Sequence, residues 1–251
     1  MGDKASRFGE YIILDSSSNL DIIIPVYNEG ESIIKVLNEV NSCISHKLTV
    51  YVVYDFDEDS TLPTLYSVKD NYDFPIIPYK NNLGRGVINA LKAGFEAATA
   101  DYILVIMADL SDRLSDVNIM IDMMNNGYDL VCGSRYMKGG KKIGGPFWKG
   151  LFSRIAGLSL HFLTRIPTHD ITNSFKLYSK KVIDSIDFES TGGFEIGMEI
   201  TVKAYNNGFK IGEVPTSWQD RVEGESNFKT IQWIPHYLHW YFYCIKNTWF
   251  R

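Results

Sequence analysis

The chain has 251 residues, enough for one large α/β domain or two small ones. Hydrophobic residues make up 45% and charged residues 22%, as in globular proteins with a sizeable core. The net charge of −5 argues against nucleic-acid binding as the main role. Cys43, Cys132 and Cys244 are far apart and form no C-x-x-C pair, which points away from a zinc site or a disulfide framework. With no signal-peptide pattern and no membrane-spanning run, we expect a cytoplasmic protein whose membrane contact would be peripheral.

The first part of the chain alternates between predicted strands and helices. Residues 1–20 are polar and serine-rich, and we expect them to form a flexible arm. The predicted strands then cover residues 21–25, 48–54, 76–79 and 102–107. The predicted helices cover residues 31–43, 62–70 and 87–98. This alternation predicts an α/β fold with a mostly parallel central sheet flanked by helices.

The second part continues the same core. The predicted helices cover residues 114–124, 147–163 and 194–206. The predicted strands cover residues 128–132, 176–178 and 209–218, the last interrupted by Pro215. Residues 137–145 are rich in glycine and lysine and are expected to form a flexible basic loop. We expect residues 21–229 to form one domain, followed by an aromatic, amphipathic helical segment over 230–251.

The apolar run at 102–107 is typical of a buried strand covered by helices on both faces. Acidic residues follow this run. Ligands of open α/β sheets bind at the carboxyl ends of the strands. Asp109 and Asp112 are therefore placed where a hard cation and a phosphate-bearing ligand could meet. The alternative is a surface loop whose acids are solvated or cap the next helix.

Polar loops follow several predicted strands and should fall on one edge of the sheet. They cover residues 27–29, 55–59, 109–112 and 133–135. Acids at the floor of such a site, with Arg135, Lys149 and Arg221 around them, suit a metal-bridged diphosphate.

The order and spacing of seven motifs carry a resemblance to a known family. The motifs are I-P-V-Y-N-E (24–29), N-L-G-R-G (82–86), A-D-L (108–110), G-S-R-Y (133–136), D-I-T-N-S-F (170–175), E-V-P (213–215) and R-V-E-G-E-S (221–226). From about residue 21 to 243 the chain resembles the inverting family-2 glycosyltransferases with the GT-A fold. Within that family it is most similar to the dolichyl- and polyprenyl-phosphate sugar synthases.

The resemblance implies a role for each matching residue. The nucleotide-sugar site would comprise Pro25, Tyr27, Glu29, Asp55, Gly84, Arg85, Asp109, Arg221 and Ser226. The acceptor phosphate would be held by Arg135, Lys149 and Ser153. From these roles and the chemistry of the reaction, we expect Asp109, Asp170, Arg135 and Arg221 to be the catalytic residues. We expect a divalent cation, Mg²⁺ or Mn²⁺, to rest on Asp109 with Ser111 or Asp112 and the donor phosphates.

Two positions depart from the family pattern. The first acid of the pair after the second strand is replaced by Tyr54, and the first acid of the usual Asp-x-Asp is replaced by Met107. A thioether is a poor ligand for a hard cation. We therefore expect weaker metal affinity or a changed metal dependence.

The acceptor determines which chemistry is needed. A lipid phosphate is already anionic and would attack the anomeric carbon with inversion and without a general base. A saccharide hydroxyl would need a carboxylate base, for which Asp170 is the candidate, unless it orients the acceptor site instead. A third possibility is a nucleotide-sugar-binding protein without catalysis, because Tyr54 and Met107 stand where acids are usual.

Several features allow two interpretations. Residues 25–29 could be only a strand exit and helix cap, and Lys149 and Ser153 could be ordinary surface residues one helical turn apart. His236 and His239 could pack or lie at an interface. The aromatic tail could be core, or a helix lying on the inner face of the cytoplasmic membrane with Lys246 and Arg251 near the headgroups. The sequence leaves the sugar, the base and the oligomeric state open.

Overall fold

A computed structural model describes residues 20–220 and 230–250, with the side chains of 230–232 excepted. The predicted flexible arm lies outside the described residues, except that Leu20 belongs to the first strand and not to the arm. Arg221 and Ser226 also lie outside them.

The described part alternates strands and helices, as the sequence predicts. The strands are β1 (Leu20–Pro25), β2 (Leu48–Tyr54), β3 (Ile76–Lys80), β4 (Tyr102–Val105), β5 (Leu130–Ser134), β6 (Lys141–Ile143), β7 (Lys176–Ser179), β8 (Ile211–Pro215) and β9 (Ser217–Gln219). The helices are α1 (Ser32–Cys43), α2 (Thr61–Val68), α3 (Val87–Ala97), α4 (Val117–Asn125), α5 (Phe147–Thr164), α6 (Lys180–Asp184), α7 (Ile196–Asn206) and α8 (Thr230–Trp249).

The main sheet has the strand order β3-β2-β1-β4-β7-β5-β8. Within it β7 runs antiparallel to both neighbours, and the other pairings are parallel. The predicted mostly parallel sheet is confirmed, but β4 has a parallel neighbour on one side only. β4 also ends at Val105, two residues earlier than predicted. β5 begins and ends two residues later than predicted, because Ser134 still pairs with Pro215 of β8.

The second, smaller sheet corrects the prediction of a flexible loop over residues 137–145. Within that stretch, β6 pairs in parallel with β9. Lys141 N donates to Thr216 O at 2.9 Å, and Asp220 N donates to Ile143 O at 2.9 Å. The break expected at Pro215 is present, since β8 ends there and β9 starts at Ser217. Proline has no N–H to continue a ladder.

Both faces of the main sheet are buried, which explains the continuous apolar runs of its strands. Along β1, Ile22 and Ile24 belong to the hydrophobic cluster that includes residues of α1 and α4. Ile23 points the other way, into the cluster that includes residues of α3, α6 and α7. Helices on both faces leave the ends of the strands as the open part of the sheet.

A third hydrophobic cluster fixes α5, α7 and α8 to one another. It contains Leu160, Met198, Trp240 and Cys244. Trp240 Nε1 donates to Ser190 Oγ at 2.9 Å, which pairs the one polar atom of this buried ring. Within the described chain, neither α5 nor α8 nor any other helix combines the length and apolar character needed to cross a bilayer.

The topology brings many loops to one edge. Parallel strands β1, β2, β4, β5 and β8 end there, and antiparallel β7 begins there. The segment 170–175 before β7 therefore meets the loops that follow the parallel strands. This edge is where ligands of α/β sheets bind.

We predict that Gly94→Ala lowers the free energy of unfolding by about 1–3 kcal/mol, because overpacking destabilises a filled core. A Cβ atom at Gly94 of α3 would lie 2.5 Å from Ile23 Cγ2 of β1. Alanine would otherwise favour the helix by about 1 kcal/mol. Denaturant unfolding of this variant and of the exposed control Glu96→Ala would test this. A control change beyond about 0.5 kcal/mol, or a more stable Gly94→Ala, would contradict the packing.

Candidate active site

The loop after β1 is fastened to the loop after β2. Asn28 has a left-handed backbone, with φ of 55°. Its N–H donates to Asp59 Oδ2 at 3.0 Å, and its side-chain oxygen accepts from Ser60 N at 3.1 Å. Glu29 N donates to Thr61 Oγ1 at 3.0 Å. These bonds hold the predicted donor-site residues of the first loop at the edge of the sheet.

Flat side chains lie together at this edge. Tyr27 is 57% exposed and meets the ring of Phe56 edge to face, with centroids 5.6 Å apart. The guanidinium of Arg85 lies 5.0 Å from the centroid of the same ring. Such a group can contact the face of a planar base. Phe56 is an addition to the predicted site residues, although it lies within the predicted polar loop 55–59.

Asp55 connects β2 to the glycine-containing loop before α3. Its Oδ1 accepts from Asn81 Nδ2 at 2.8 Å, and its Oδ2 accepts from Gly86 N at 2.8 Å. Asn81 Nδ2 also donates to Gly84 O at 2.6 Å. Gly84 and Gly86 have φ of 108° and 119°, which side chains larger than glycine disfavour. The structure thus brings Asp55, Gly84 and Arg85 together, while their roles remain predictions.

The loop after β4 presents the three predicted metal ligands. Asp109 Oδ1 accepts from Ser111 N at 3.0 Å, across Leu110 with its left-handed φ of 56°. Ser111 O accepts from Gln219 N at 2.9 Å, so β9 fixes this loop from the side. Asp112 is buried, and its Oδ1 has no hydrogen-bond partner among the described residues.

The surroundings of Asp112 destabilise the charged form of its buried carboxyl group. Burial, and then the charge of Asp109, raise its pKa to about 7, although Arg135 acts in the opposite direction. An unpaired, buried carboxylate oxygen beside a second carboxylate suits a hard cation with oxygen ligands. Among the described residues, no three His, Cys, Asp or Glu side chains converge on one point. The described residues would therefore supply Asp109 and Asp112, and other ligands would have to complete the coordination.

A buried ion pair forms the opposite half of the site. Asp170 is fully buried and accepts from Arg135 three times: from N at 3.0 Å, from Nε at 2.7 Å and from Nη2 at 2.9 Å. Burial opposes the charge of Arg135, but Asp170 outweighs it and the pKa of Arg135 lies above its ordinary value. No described residue takes a hydrogen bond from Nη1. These contacts favour the orienting role of Asp170 over the role of general base.

Hydroxyl groups surround the guanidinium of Arg135. Its Nη2 donates to Ser153 Oγ at 3.1 Å and to Thr172 Oγ1 at 3.2 Å. Tyr136 OH donates to Ser153 Oγ at 3.0 Å. The predicted pair of Arg135 and Ser153 is thus in direct contact, and Lys149 lies one turn earlier on α5.

Basic side chains accumulate near the start of α5. Burial is the main cause that lowers the pKa of Lys142 on β6; the charges of Arg135 and Lys149 lower it further, and Asp220 opposes them. Basic side chains grouped in this way favour an anion nearby.

Some site residues were not identified individually from the sequence. Tyr136 and Thr172 lie inside recognised motifs, and this position indicated that they are near the site. Their hydrogen bonds were not predictable from the sequence. Glu213 accepts from His169 N at 2.8 Å and contacts His169 Nδ1 at 2.5 Å. It thereby fixes the residue before Asp170. Its motif was recognised without this role.

Comparison with known proteins identifies the family. The description "Glycosyl transferase family 2" matches residues 21–187, more than half of the chain. The chain therefore belongs to glycosyl transferase family 2, as the motifs predict.

Two curated relatives are similar over most of this chain. A dolichol-phosphate mannosyltransferase of Pyrococcus furiosus is 29% identical over 215 residues, which are 84% of this chain and 59% of the relative. A polyprenol monophosphomannose synthase of Mycolicibacterium smegmatis is 29% identical over 229 residues, covering 84% of this chain and 85% of the relative. The chain thus spans less than two thirds of the first relative's length.

Solved structures confirm the GT-A fold. Glucosyl-3-phosphoglycerate synthase from Mycobacterium tuberculosis, in complex with UDP, has a TM-score of 0.67 at 12% identity, covering 92% of this chain and 81% of that chain. The same protein with Mn²⁺, UDP and glucosyl-3-phosphoglycerate has a TM-score of 0.66 at 12% identity, covering 96% and 86%. At such identity the likeness establishes the fold and not the ligands.

We predict that Asp170→Ala lowers the free energy of unfolding by about 3–5 kcal/mol, because Arg135 would keep a buried charge without its partner. The matched control is Asp184→Ala, which removes the acid of the exposed Lys180–Asp184 pair. That control should change stability by less than about 1 kcal/mol. Equal effects of the two variants in denaturant unfolding would contradict the importance of the buried pair.

Proposed function

We propose that this protein transfers a sugar from a nucleotide-diphosphate sugar to a polyprenyl or dolichyl phosphate. The observation that carries the proposal is the Arg135–Asp170 pair, surrounded by Ser153 and Thr172 at the same sheet edge as Asp109. Nη1 of Arg135 can donate hydrogen bonds to a phosphate while Asp170 fixes the orientation of the guanidinium. The names of the two curated relatives support a lipid-phosphate acceptor.

The donor would occupy the half of the edge formed by the loops after β1, β2 and β3. Tyr27, Phe56 and Arg85 would contact the base, and Asp55 would hold the adjacent glycine loop in place. Pro25, Glu29, Gly84, Arg221 and Ser226 keep their predicted donor roles, the last two from outside the described residues. UDP in the similar solved structure supports a nucleotide donor, and the choice between UDP- and GDP-sugar stays open.

Asp109 and Asp112, with Ser111, would hold a divalent cation. The presence of Mg²⁺ or Mn²⁺ in structures of the similar synthase supports this assignment. When bound, the cation would neutralise charge on the diphosphate leaving group. Asp112 would supply the negative charge that Met107 does not, which explains why a carboxylate is kept buried there without a hydrogen bond to Oδ1.

The reaction follows from the charges of the acceptor site. A phosphate oxygen of the acceptor attacks the anomeric carbon, forming a carbon–oxygen bond as the bond to the nucleoside diphosphate breaks on the opposite face. Inversion results. Arg135, Lys149 and Ser153 hold the acceptor phosphate and set its direction of attack. Because the attacking oxygen is already anionic, Asp170 need not accept a proton.

The engagement of Asp170 weighs against transfer to a saccharide hydroxyl. To serve as the general base for a hydroxyl acceptor, Asp170 would have to give up hydrogen bonds that it accepts from Arg135. If Asp112 compensates for Met107, the non-catalytic alternative is supported by Tyr54 alone.

Two helices expose an apolar surface that supports contact with a membrane. α5 and α8 touch through Ser159 Oγ and Tyr241 OH at 2.9 Å, and through Trp249 Nε1 and Leu163 O at 2.9 Å. The exposed apolar side chains on these helices are Phe147, Trp148, Phe152, Ile155 and Phe162 of α5 and Ile234, Leu238, Phe242 and Trp249 of α8. α8 thus both packs in the core, through Trp240, and exposes apolar groups. This two-helix surface would lie at the inner face of the membrane, where a lipid phosphate is presented.

We predict that wild-type protein forms a labelled lipid product from one of a panel of UDP- and GDP-sugars and polyprenyl phosphate in detergent with Mg²⁺ or Mn²⁺. Asp109→Ala should reduce the rate at least about 100-fold, since it removes a ligand of the leaving-group cation. Asp184→Ala, far from the site, is the control. Chelation should stop transfer, and added metal should restore it.

Product on a saccharide but not on the lipid would favour the hydroxyl-acceptor alternative. Nucleotide-sugar binding without turnover of any acceptor would favour the non-catalytic one. Undiminished activity after chelation would remove the metal role of Asp109.

We predict that the double variant Phe152→Glu and Phe242→Glu floats with anionic liposomes at least about tenfold less than wild type, because charge disfavours interfacial burial. Ile119→Glu is the matched control, since Ile119 is an exposed apolar residue of α4 outside the two-helix surface. Equal flotation of all three proteins would contradict membrane contact through this surface.

A further inference from the structure

A lysine is buried in the middle of the main sheet. Lys176 is the first residue of β7, and its relative exposure is 0%. In the sheet it pairs with Val105 of β4 on one side and Cys132 of β5 on the other. Lysine is almost never fully buried unless its charge is paired.

Among the described residues, the hydrogen-bond acceptors of the Lys176 ammonium are backbone carbonyls. Nζ donates to Ile171 O at 3.0 Å and also to Asn173 O. No carboxylate of a described residue forms an ion pair with it. Burial, the largest influence, lowers its pKa, and Arg135 lowers it further, while Cys132 and Asp170 oppose this.

Both carbonyls belong to the segment that supports Arg135. Asp170 and Thr172 of this segment accept from the guanidinium. Asn173 Nδ2 donates to Gly133 O at 2.9 Å, two residues before Arg135. Lys176 therefore fastens, at two points, the backbone that carries the partners of Arg135.

The chemistry of the site explains why an amine is kept where an apolar side chain would be cheaper to bury. A methionine of similar length would fill the volume but leave two buried carbonyls without these donors. When protonated, the amine of Lys176 also adds positive charge near Arg135, which favours a phosphate there.

We propose that Lys176 is a positioning residue of the acceptor site, which holds the carbonyls of Ile171 and Asn173 so that Asp170 and Thr172 orient Arg135. The effect of Lys176 on the acceptor rests on the proposed function. The restraint of segment 170–175 by Lys176 does not depend on that function.

Hydrogen exchange tests directly whether Lys176 restrains this segment. In Lys176→Met, peptides covering residues 168–176 should exchange at least about tenfold faster than in wild type, with the rest of the chain little changed. Lys92→Met is the matched control, because Lys92 Nζ likewise donates to a loop carbonyl, Ser190 O, at 2.9 Å but away from this segment. The control should leave peptides 168–176 unchanged. Unchanged exchange there in Lys176→Met would overturn the proposal.

Kinetics test the connection to the acceptor. Lys176→Met should raise KM for polyprenyl phosphate at least about tenfold, while KM for the nucleotide-sugar changes less than about twofold. Lys92→Met should change neither. Equal increases of both KM values would contradict a specific effect on the acceptor.

The two measurements separate this inference from the proposed function. Faster local exchange with an unaltered acceptor KM would show that Lys176 restrains the segment but would contradict its positioning role at the acceptor site. If Lys176→Met does not fold, Lys176→Gln, which retains an N–H donor, gives the same comparison. Failure of both variants to fold would overturn the positioning role and assign Lys176 to the stability of the sheet.

Discussion

The site depends on the buried guanidinium of Arg135, which forms an ion pair with Asp170. Arg135 is brought to the end of β5 with its guanidinium largely enclosed, and such a charge is stable only where a carboxylate and further acceptors are fixed around it. Asp170 meets the backbone N–H, Nε and Nη2 of Arg135 together. This leaves Nη1 as the part of the guanidinium that is unused within the described chain. The hydrogen bonds to Asp170 that stabilise the fold therefore leave Nη1 as the donor of Arg135 that can bind an anion.

The sheet topology makes this pairing possible. Arg135 follows a strand that ends at the open edge, whereas Asp170 precedes a strand that begins there, so the two loops meet only because β7 is antiparallel. The acids of Asp109 and Asp112 reach the same edge from β4. The resulting site has acidic side chains on one side and Arg135 on the other, an arrangement that suits the proposed reaction between a metal-bound diphosphate and an anionic acceptor.

Much of this was predictable because strand ends are visible in the sequence. The apolar run before Asp109 and the loop of Tyr27 were placed correctly, since buried parallel strands give continuous hydrophobic runs. The pairing of Lys141–Ile143 with β9 was not predictable, because glycine- and lysine-rich strands carry no hydrophobic pattern and the partners are distant along the chain. Asp112 was identified as an acid, but its unpaired buried oxygen depends on packing against β9. The bonds of Lys176 likewise depend on the path of segment 170–175.

The most direct test of the account is the kinetic effect of Arg135→Lys, which keeps the positive charge but loses the planar fork that binds Asp170 and a phosphate together. KM for each substrate would be measured with the other saturating. We predict that KM for polyprenyl phosphate rises at least about tenfold while KM for the nucleotide-sugar changes less than about twofold. A rise confined to the nucleotide-sugar would contradict the account, because it would place Arg135 on the donor and not on the acceptor.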